Sequence, residues 1–381
     1  MLRCFTAGES HGPALTAIID GLPAGLVLDA DAIDRDLRRR QGGYGRGGRQ
    51  QIERDQATIT AGVVQGMTIG APVAITIANR DWENWRDRTV TPWRRPRPGH
   101  ADLAGAEKYG LDDLRLIAER ASARETAARV AAGAVCQALL AQVGVRLGSY
   151  VEAIGGVWAD LQGLALEERL AGARASDVSC PDPRAAEAMR AAIDAARAAG
   201  DSLGGVVVAV ALGVPVGLGS HSQWDRRLDG RLAQAVMSVQ AVKGVEIGPA
   251  FANAALSGTQ VHDALYPAEE TGWSPRQGAP GRPMRRTNRA GGVEGGMSNG
   301  APIEVRAALK PIPTTLRPQP TVDLDTGEAA ETQYQRADVC AVPAAAVVVE
   351  AMVAWVLADA LLERYGGDHV EVLVRRVRDG S

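Results

Sequence analysis

Histidine is scarce in this chain, five in 381 residues, and cysteine scarcer still, with four. Cys4, Cys136, Cys180 and Cys340 are far apart and show none of the paired spacings of metal or redox sites, which predicts a reducing, cytosolic setting. The N-terminus has no apolar run that could serve as a signal peptide, because Gly8, Glu9, Ser10 and His11 interrupt it at once. Internal repeats and low-complexity tails are missing too. A formal charge of -3 argues against a dedicated nucleic-acid binder. The longest membrane-like run, 342–362, carries Glu350 near its centre and Asp359 near its end. Each would cost about 2.5–3.5 kcal/mol at mid-bilayer, so the run predicts a buried helix and no membrane partner.

What is present is ordinary globular material: 46% hydrophobic and 23% charged residues, with ample substance for a core. Length alone allows two or three domains, and no linker divides the chain. Strand-like runs fall at 14–19, 57–64, 73–78, 206–212, 303–309 and 369–374. Several alternate apolar and polar residues, as antiparallel strands with one wet face do, whereas 206–212 is apolar throughout and predicts cover on both sides. Helical patterns occupy 31–40, 122–143, 183–199, 228–239 and 343–365. Three long segments lack periodicity, 79–102, 268–300 and 310–336, and loops of that length inside a compact domain are usually lids or ligand-binding loops. The second contains Arg282, Arg285, Arg286 and Arg289 before a glycine-rich run, a composition suited to an anionic ligand.

Two of the five histidines sit in glycine-bounded loops, Gly8-Glu9-Ser10-His11-Gly12 and Gly99-His100-Ala101-Asp102. Imidazole exchanges protons near neutral pH, and each loop carries an acid, Glu9 or Asp102, able to orient it. Taken alone, either loop reads equally well as a simple turn. The first also matches a Gly-x-Ser-x-Gly elbow, but seven preceding residues cannot supply the strands and oxyanion loop that a serine hydrolase needs. From Arg38 to Arg49 five arginines alternate with glycines and no acid intervenes. Guanidinium forks grip phosphate or carboxylate oxygens while glycine frees backbone N–H groups to face the same anion. A dinucleotide fingerprint hidden there, 43–48, lacks the preceding strand that it requires. Ser122 and Glu125 form an S-x-x-E capping box at a predicted helix start, flanked by Arg120 and Arg124, a place where phosphate docks well. Trp82, Trp85 and Trp93 interleave with Arg86, Arg88, Arg94, Arg95 and Arg97, which raises the rival reading of a single-stranded nucleic-acid-binding protein that stacks bases on the 82–97 loop.

Together the Gly-Glu-Ser-His-Gly start, Arg40-Gln-Gly-Gly-Tyr-Gly-Arg46-Gly-Gly-Arg49, Gly99-His100-Ala101-Asp102 and Ser122-Ala-Arg-Glu-Thr126 resemble chorismate synthase. Asp201-Ser-Leu-Gly-Gly205, 238–248, Gly295-Gly-Met-Ser-Asn-Gly300 and Arg336-Ala-Asp-Val-Cys-Ala-Val-Pro343 continue the resemblance in order, from residue 3 to about residue 365. The resemblance implies an α+β fold, a single-domain β-α-β sandwich over 1–381 with helices packed between antiparallel sheets, assembled as a cytoplasmic homotetramer. It implies a lyase that turns 5-enolpyruvylshikimate 3-phosphate into chorismate and phosphate by anti-1,4 elimination with reduced FMN, the last step of the shikimate pathway. No nucleic-acid partner is then expected.

By motif, the resemblance makes His11 and His100 the acid and base partners of flavin and phosphate, with Asp338 assisting proton removal. Ser10, Arg40, Arg46, Arg49 and Arg124 would bind substrate, Arg40 and Arg46 being placed by some in a nicotinamide-nucleotide (NADP) site instead. FMN would meet Arg120, Ala121, Ser122, Gln240, Ala241, Gly300, Lys310, Pro311, Ile312, Pro313, Thr314 and Arg336. Many members have Ser where this chain has Ala121, so only backbone contacts are expected there. No added reductase-like segment is present, which predicts an external supply of reduced FMN. No metal is expected.

Overall fold

The computed structural model describes residues 1–47, 54–267, 283–335 and 338–380. Two antiparallel sheets enclose a layer of helices. The first contains β1 (Arg3–Ala7), β2 (Ala14–Asp20), β3 (Ala57–Ala61) and β4 (Val73–Ala78) in the order β1-β2-β4-β3. The second contains β5 (Arg146–Ile154), β6 (Val157–Trp158), β7 (Gly205–Leu212), β8 (Val242–Ile247) and β9 (Ile303–Leu309) in the order β8-β9-β7-β5-β6. Period-two alternation decides the inner face of the first sheet: Leu15, Ala17 and Ile19 on β2 and Val73, Ile75 and Ile77 on β4 are buried, all pointing to one side.

The longer helices among the described residues are α1 (Ala30–Gln41), α2 (Asp102–Tyr109), α3 (Leu114–Ala121), α4 (Thr126–Gln142), α5 (Leu166–Ala175), α6 (Pro183–Ala199), α7 (Leu228–Met237), α8 (Val342–Tyr365) and α9 (Val370–Asp379). α4 packs under β2 and β4 of the first sheet, α8 under β5 and β7 of the second, and the two helices meet in the middle. Their approach depends on Gly133, where a Cβ would stand 2.4 Å from Cβ of Ala351. One apolar cluster therefore runs from Leu15 and Ile75 through Val130 and Leu139, then Val349 and Leu357, to Val207 and Val305.

The all-apolar strand has the predicted double cover. Val207, Ala209 and Ala211 of β7 face the helices, while Val208, Val210 and Leu212 face a second cluster with Tyr150, Leu170 and Ala173, roofed by α5. The run ending near residue 362 is a core helix, as its two acids suggested. Glu350 of α8 is 1% exposed and receives both Arg39 nitrogens at 2.9 and 2.7 Å and the Ser149 hydroxyl at 2.7 Å. Arg39 also holds Asp36 at 2.8 Å. Burial and then the neighbouring Glu350 push the Asp36 carboxyl above its ordinary range, against the pull of Arg39.

Three expectations are corrected. The run 369–374 is not a strand but the start of α9, with His369 as N-cap accepting the Glu371 N–H at 3.3 Å. Val370, Leu373, Val374 and Val377 share a helical face, a period that a six-residue window does not separate from alternation. The run 57–64 breaks at Gly62, whose φ of +81° turns the chain into a short hairpin, Val63–Val64 with Met67–Thr68. The helix predicted from 122 begins at Thr126, after a single 3-10 turn at Ala123–Glu125. Ser122 does cap, accepting the Arg124 N–H at 3.2 Å, but Glu125 turns away to Thr6, Arg129 and Gln240.

Candidate active site

The junction between α3 and α4 is the floor of the site. Arg124, 8% exposed, sends Nη1 to both oxygens of Asp55 at 2.6 and 2.7 Å, and Nε and Nη2 to Oδ1 of Asn79 at 2.9 and 2.7 Å. Arg40, 4% exposed at the end of α1, donates to Thr126 Oγ1 at 2.8 Å, to the Ala123 carbonyl at 2.9 Å and to Asp55 at 3.4 Å. Asn79 in turn donates to the carbonyls of Glu9 and Gly12, tying the first histidine loop to this floor. Ser122 donates to Ser10 at 3.2 Å.

Charge crowding here is measurable. Burial pushes the Arg40 guanidinium down to about 10; Asp55 opposes the shift, while Arg124 and Arg46 reinforce it. Arg46 pairs with Asp338, whose second oxygen accepts the Gly47 N–H at 2.7 Å. Among the described residues, the buried Nε of Arg46 has no acceptor. Three guanidinium groups thus converge on Asp55 and Asp338, a concentration of positive groups that suits an anion.

His11 lies against this floor on an acid from another segment. Nδ1 is 2.8 Å from Glu119 Oε1, the backbone N–H of His11 donates to Oε2 at 2.7 Å, and the ring packs on Trp85 with centroids 4.2 Å apart. Glu9, the acid expected to serve His11, instead lies over Gly12, where a Cβ would meet its Oε2 at 2.8 Å. Asp102 does serve His100, its Oδ1 2.5 Å from Nδ1. Burial alone would raise the Asp102 carboxyl, but hydrogen bonds from His100 and Arg97 outweigh it and hold the group well below the usual carboxylate range.

The chain of 310–314 docks on the second histidine arm. Lys310 Nζ donates to the Gly99 carbonyl at 2.7 Å, Arg97 Nη1 reaches Thr314 Oγ1 at 3.4 Å, and Ser202 holds the Ile312 carbonyl at 2.7 Å. Burial, then the charge of Lys243, lowers the Lys310 ammonium from its ordinary value. Lys310 N–H also donates to the Ala241 carbonyl at 2.9 Å, and Ala241 holds a left-handed φ of +70°. Next to it Gln240 donates to Glu125 at 3.2 Å; this fixes the amide so that Oε1, buried, finds no donor among the described residues. Arg120 and Glu125 both bond Thr6. An unbroken chain of contacts therefore joins the His11 floor to the His100 arm.

Comparison with known proteins now decides the family. The chorismate synthase family model matches residues 2–362. Chorismate synthase of Moorella thermoacetica is 55% identical over 385 residues, covering 99% of this chain and 97% of its own length. That of Geobacter sulfurreducens is 54% identical, covering 100% and 98%. A crystal structure of chorismate synthase superposes with a TM-score of 0.80 at 45% identity, covering 100% of this chain and 97% of the other. The chain belongs to the chorismate synthase family.

Within the chorismate synthase fold, the predicted residues fall unevenly. Ser10, His11, Arg40, Arg46, Arg120, Ala121, Ser122, Arg124 and Asp338 gather around the α3–α4 junction, and His100, Gln240, Ala241 and 310–314 form the adjoining arm. Arg49 and Arg336 lie outside the described residues, as does Arg282. Gly300 stands beside Val216 at the opposite end of β9 from Lys310. Seven strand residues separate the ends by roughly 20 Å, so Gly300 does not join this cluster within one chain. The 283–300 arginines are engaged as well, Arg285 with Glu294 at 2.9 Å and Arg286 over the Tyr266 ring.

Sequence reasoning missed Asp55, Asn79, Trp85, Arg97 and Glu119. The base-stacking alternative finds no support in the loop that prompted it: Trp85 packs on His11, Trp93 lies under Arg97, and Arg94 and Arg95 pair with Asp325 and Asp323.

Proposed function

We infer that this protein converts 5-enolpyruvylshikimate 3-phosphate into chorismate and phosphate by anti-1,4 elimination, the last step of the shikimate pathway. The observation that carries the reading is the convergence of Arg40, Arg46 and Arg124 beside a hydroxyl pair and a carboxylate-held imidazole, with the Nε of Arg46 lacking an acceptor among the described residues. A substrate with one phosphate and two carboxylates suits such a group of cations. His11 and His100 hold or move the protons at the departing phosphate and at the cofactor. Asp338 anchors Arg46 and Gly47 and accepts a proton when the substrate draws Arg46 away.

The cofactor of this reading is reduced FMN, which when bound supplies electron density to the breaking C–O bond. The residues fit such a group: the buried Oε1 of Gln240, with no donor among the described residues, suits a ring N–H, and Lys310 and Arg120 offer cationic donors to a phosphate. An external source reduces the flavin, and the chain works as one catalytic domain in a cytoplasmic homotetramer. Gly300 then serves the flavin of a neighbouring subunit.

Anaerobic mixing of the protein with FMN, dithionite and the enolpyruvyl substrate tests the reading. Phosphate release together with chorismate absorbance is expected, and absence of both refutes it. Steady NADPH oxidation by the protein with FMN would refute the external supply.

A further inference from the structure

His11 is gripped from the far end of α3 by one residue. Glu119 uses three acceptors on the 10–11 loop: its backbone carbonyl takes the Ser10 N–H at 3.0 Å, Oε2 takes the His11 N–H at 2.7 Å, and Oε1 lies 2.8 Å from His11 Nδ1. The carboxylate is only 16% exposed. Trp85 covers the ring, and is itself fixed by Nε1 donating to the buried Asp81 at 3.2 Å. Orientation, ring plane and one nitrogen of the imidazole are therefore set before any ligand arrives.

We propose that Glu119 is the positioning residue of His11, holding a proton on Nδ1 so that exchange with the ligand takes place at Nε2. The proposal rests on His11 being a proton handler. A carboxylate accepts only, so the nitrogen beside it carries hydrogen in the neutral ring and in the cation alike. Glutamine cannot substitute. It offers one acceptor and one donor to two donors, and with its NH2 toward Nδ1 it drives the neutral ring to the opposite tautomer. A tautomer reversed in this way disables proton transfer even where geometry survives.

The test uses the full-length enzyme with FMN and dithionite under anaerobic conditions. Glu119→Gln should lower kcat roughly 10- to 100-fold, within the range of a lost general acid or base, with KM changed less than about threefold. Glu119→Asp, which keeps two acceptor oxygens, should recover part of the loss. In a His11→Ala background Glu119→Gln should cost less than about twofold more, because residues acting as a unit are not additive. A merely structural Glu119 would instead multiply the two losses and lower thermal stability. Slow His11→Ala with near-normal Glu119→Gln overturns this proposal alone. Near-normal His11→Ala overturns the proton-handling reading and the proposal with it. Should Glu119→Gln fail to fold, Glu119→Asp carries the same comparison: a loss that persists undiminished without His11 refutes the idea.

Discussion

Asp55→Asn probes the arginine floor directly. Asp55 is 2% exposed and its carboxylate meets Arg124 Nη1 at 2.6 and 2.7 Å and Arg40 Nη1 at 3.4 Å. Removing its charge takes from Arg124 and Arg40 the carboxylate that both hold. Breaking a buried pair costs about 3–5 kcal/mol, because a desolvated charge is left uncompensated. The amide keeps one acceptor oxygen for Arg124, so the lower end of the range, about 3 kcal/mol, is expected. Urea unfolding read by circular dichroism measures it. An anion bound to the native state stabilises by RT ln(1 + [L]/Kd), about 2.7 kcal/mol at a hundredfold excess over Kd. Inorganic phosphate should therefore restore most of the lost stability in the variant and raise its Tm more than that of the parent. Equal stability of variant and parent, or a phosphate response no larger in the variant, would refute the claim that Asp55 neutralises this floor and that an anion can take its place.

Other outcomes are expected on the same grounds. His11→Ala and His100→Ala should each lower kcat by about 10² or more, and a rate near the parent's removes that residue from the chemistry. Gly133→Ala forces a methyl into the α4–α8 contact, where Ala351 Cβ would be 2.4 Å away, and should destabilise by about 1–3 kcal/mol in denaturant titrations; an unchanged midpoint would mean that the helices separate easily. Asp36 has a raised carboxyl in the folded state, so the native form binds more protons than the unfolded one between the two values. Its contribution is complete below the unfolded pKa and is lost as pH rises through the folded one. Asp36→Asn should remove that downward slope of stability as pH rises above about 4, and an identical slope in parent and variant would count against it.

The elements legible from sequence were those with redundant signals. α6 matches its predicted 183–199 because Asp182 caps it, Pro183 starts it and Gly200, at φ +70°, ends it. The fully apolar strand was read correctly down to its double cover. β1 was missed because its five residues, with Phe5 exposed and Thr6 half-buried, show no apolar face of their own; it exists as the partner of β2. α2 and α3 were hidden in a stretch that follows the Trp/Arg/Pro-rich loop, and α9 was mistaken for a strand on its alternating valines.

The candidate site shows the same divide more sharply. Cationic and imidazole groups were visible, since arginines among glycines and isolated histidines are conspicuous. Of their acids, Asp102 stands two residues from His100 and Asp338 entered through the family resemblance, while Asp55 and Glu119 gave no signal. Glu119 stands 108 residues from His11 and Asp55 stands 69 from Arg124, distances that only the folded sandwich closes.

The placing of those acids has a physical logic. Without Asp55 and Asp338, three guanidinium groups within one buried cluster would repel one another, and the empty fold would carry the full penalty. Asp55 serves Arg40 and Arg124, Asp338 serves Arg46, and the Nε of Arg46 still finds no acceptor among the described residues. The site can therefore fold before its ligand arrives and still draw a phosphate in. The lowering of Arg40 to about 10 records that balance: Asp55 and Asp338 support its charge, while burial, Arg124 and Arg46 oppose it. Arriving substrate reverses the sign of that opposition, so binding should strengthen the arginine floor rather than strain it.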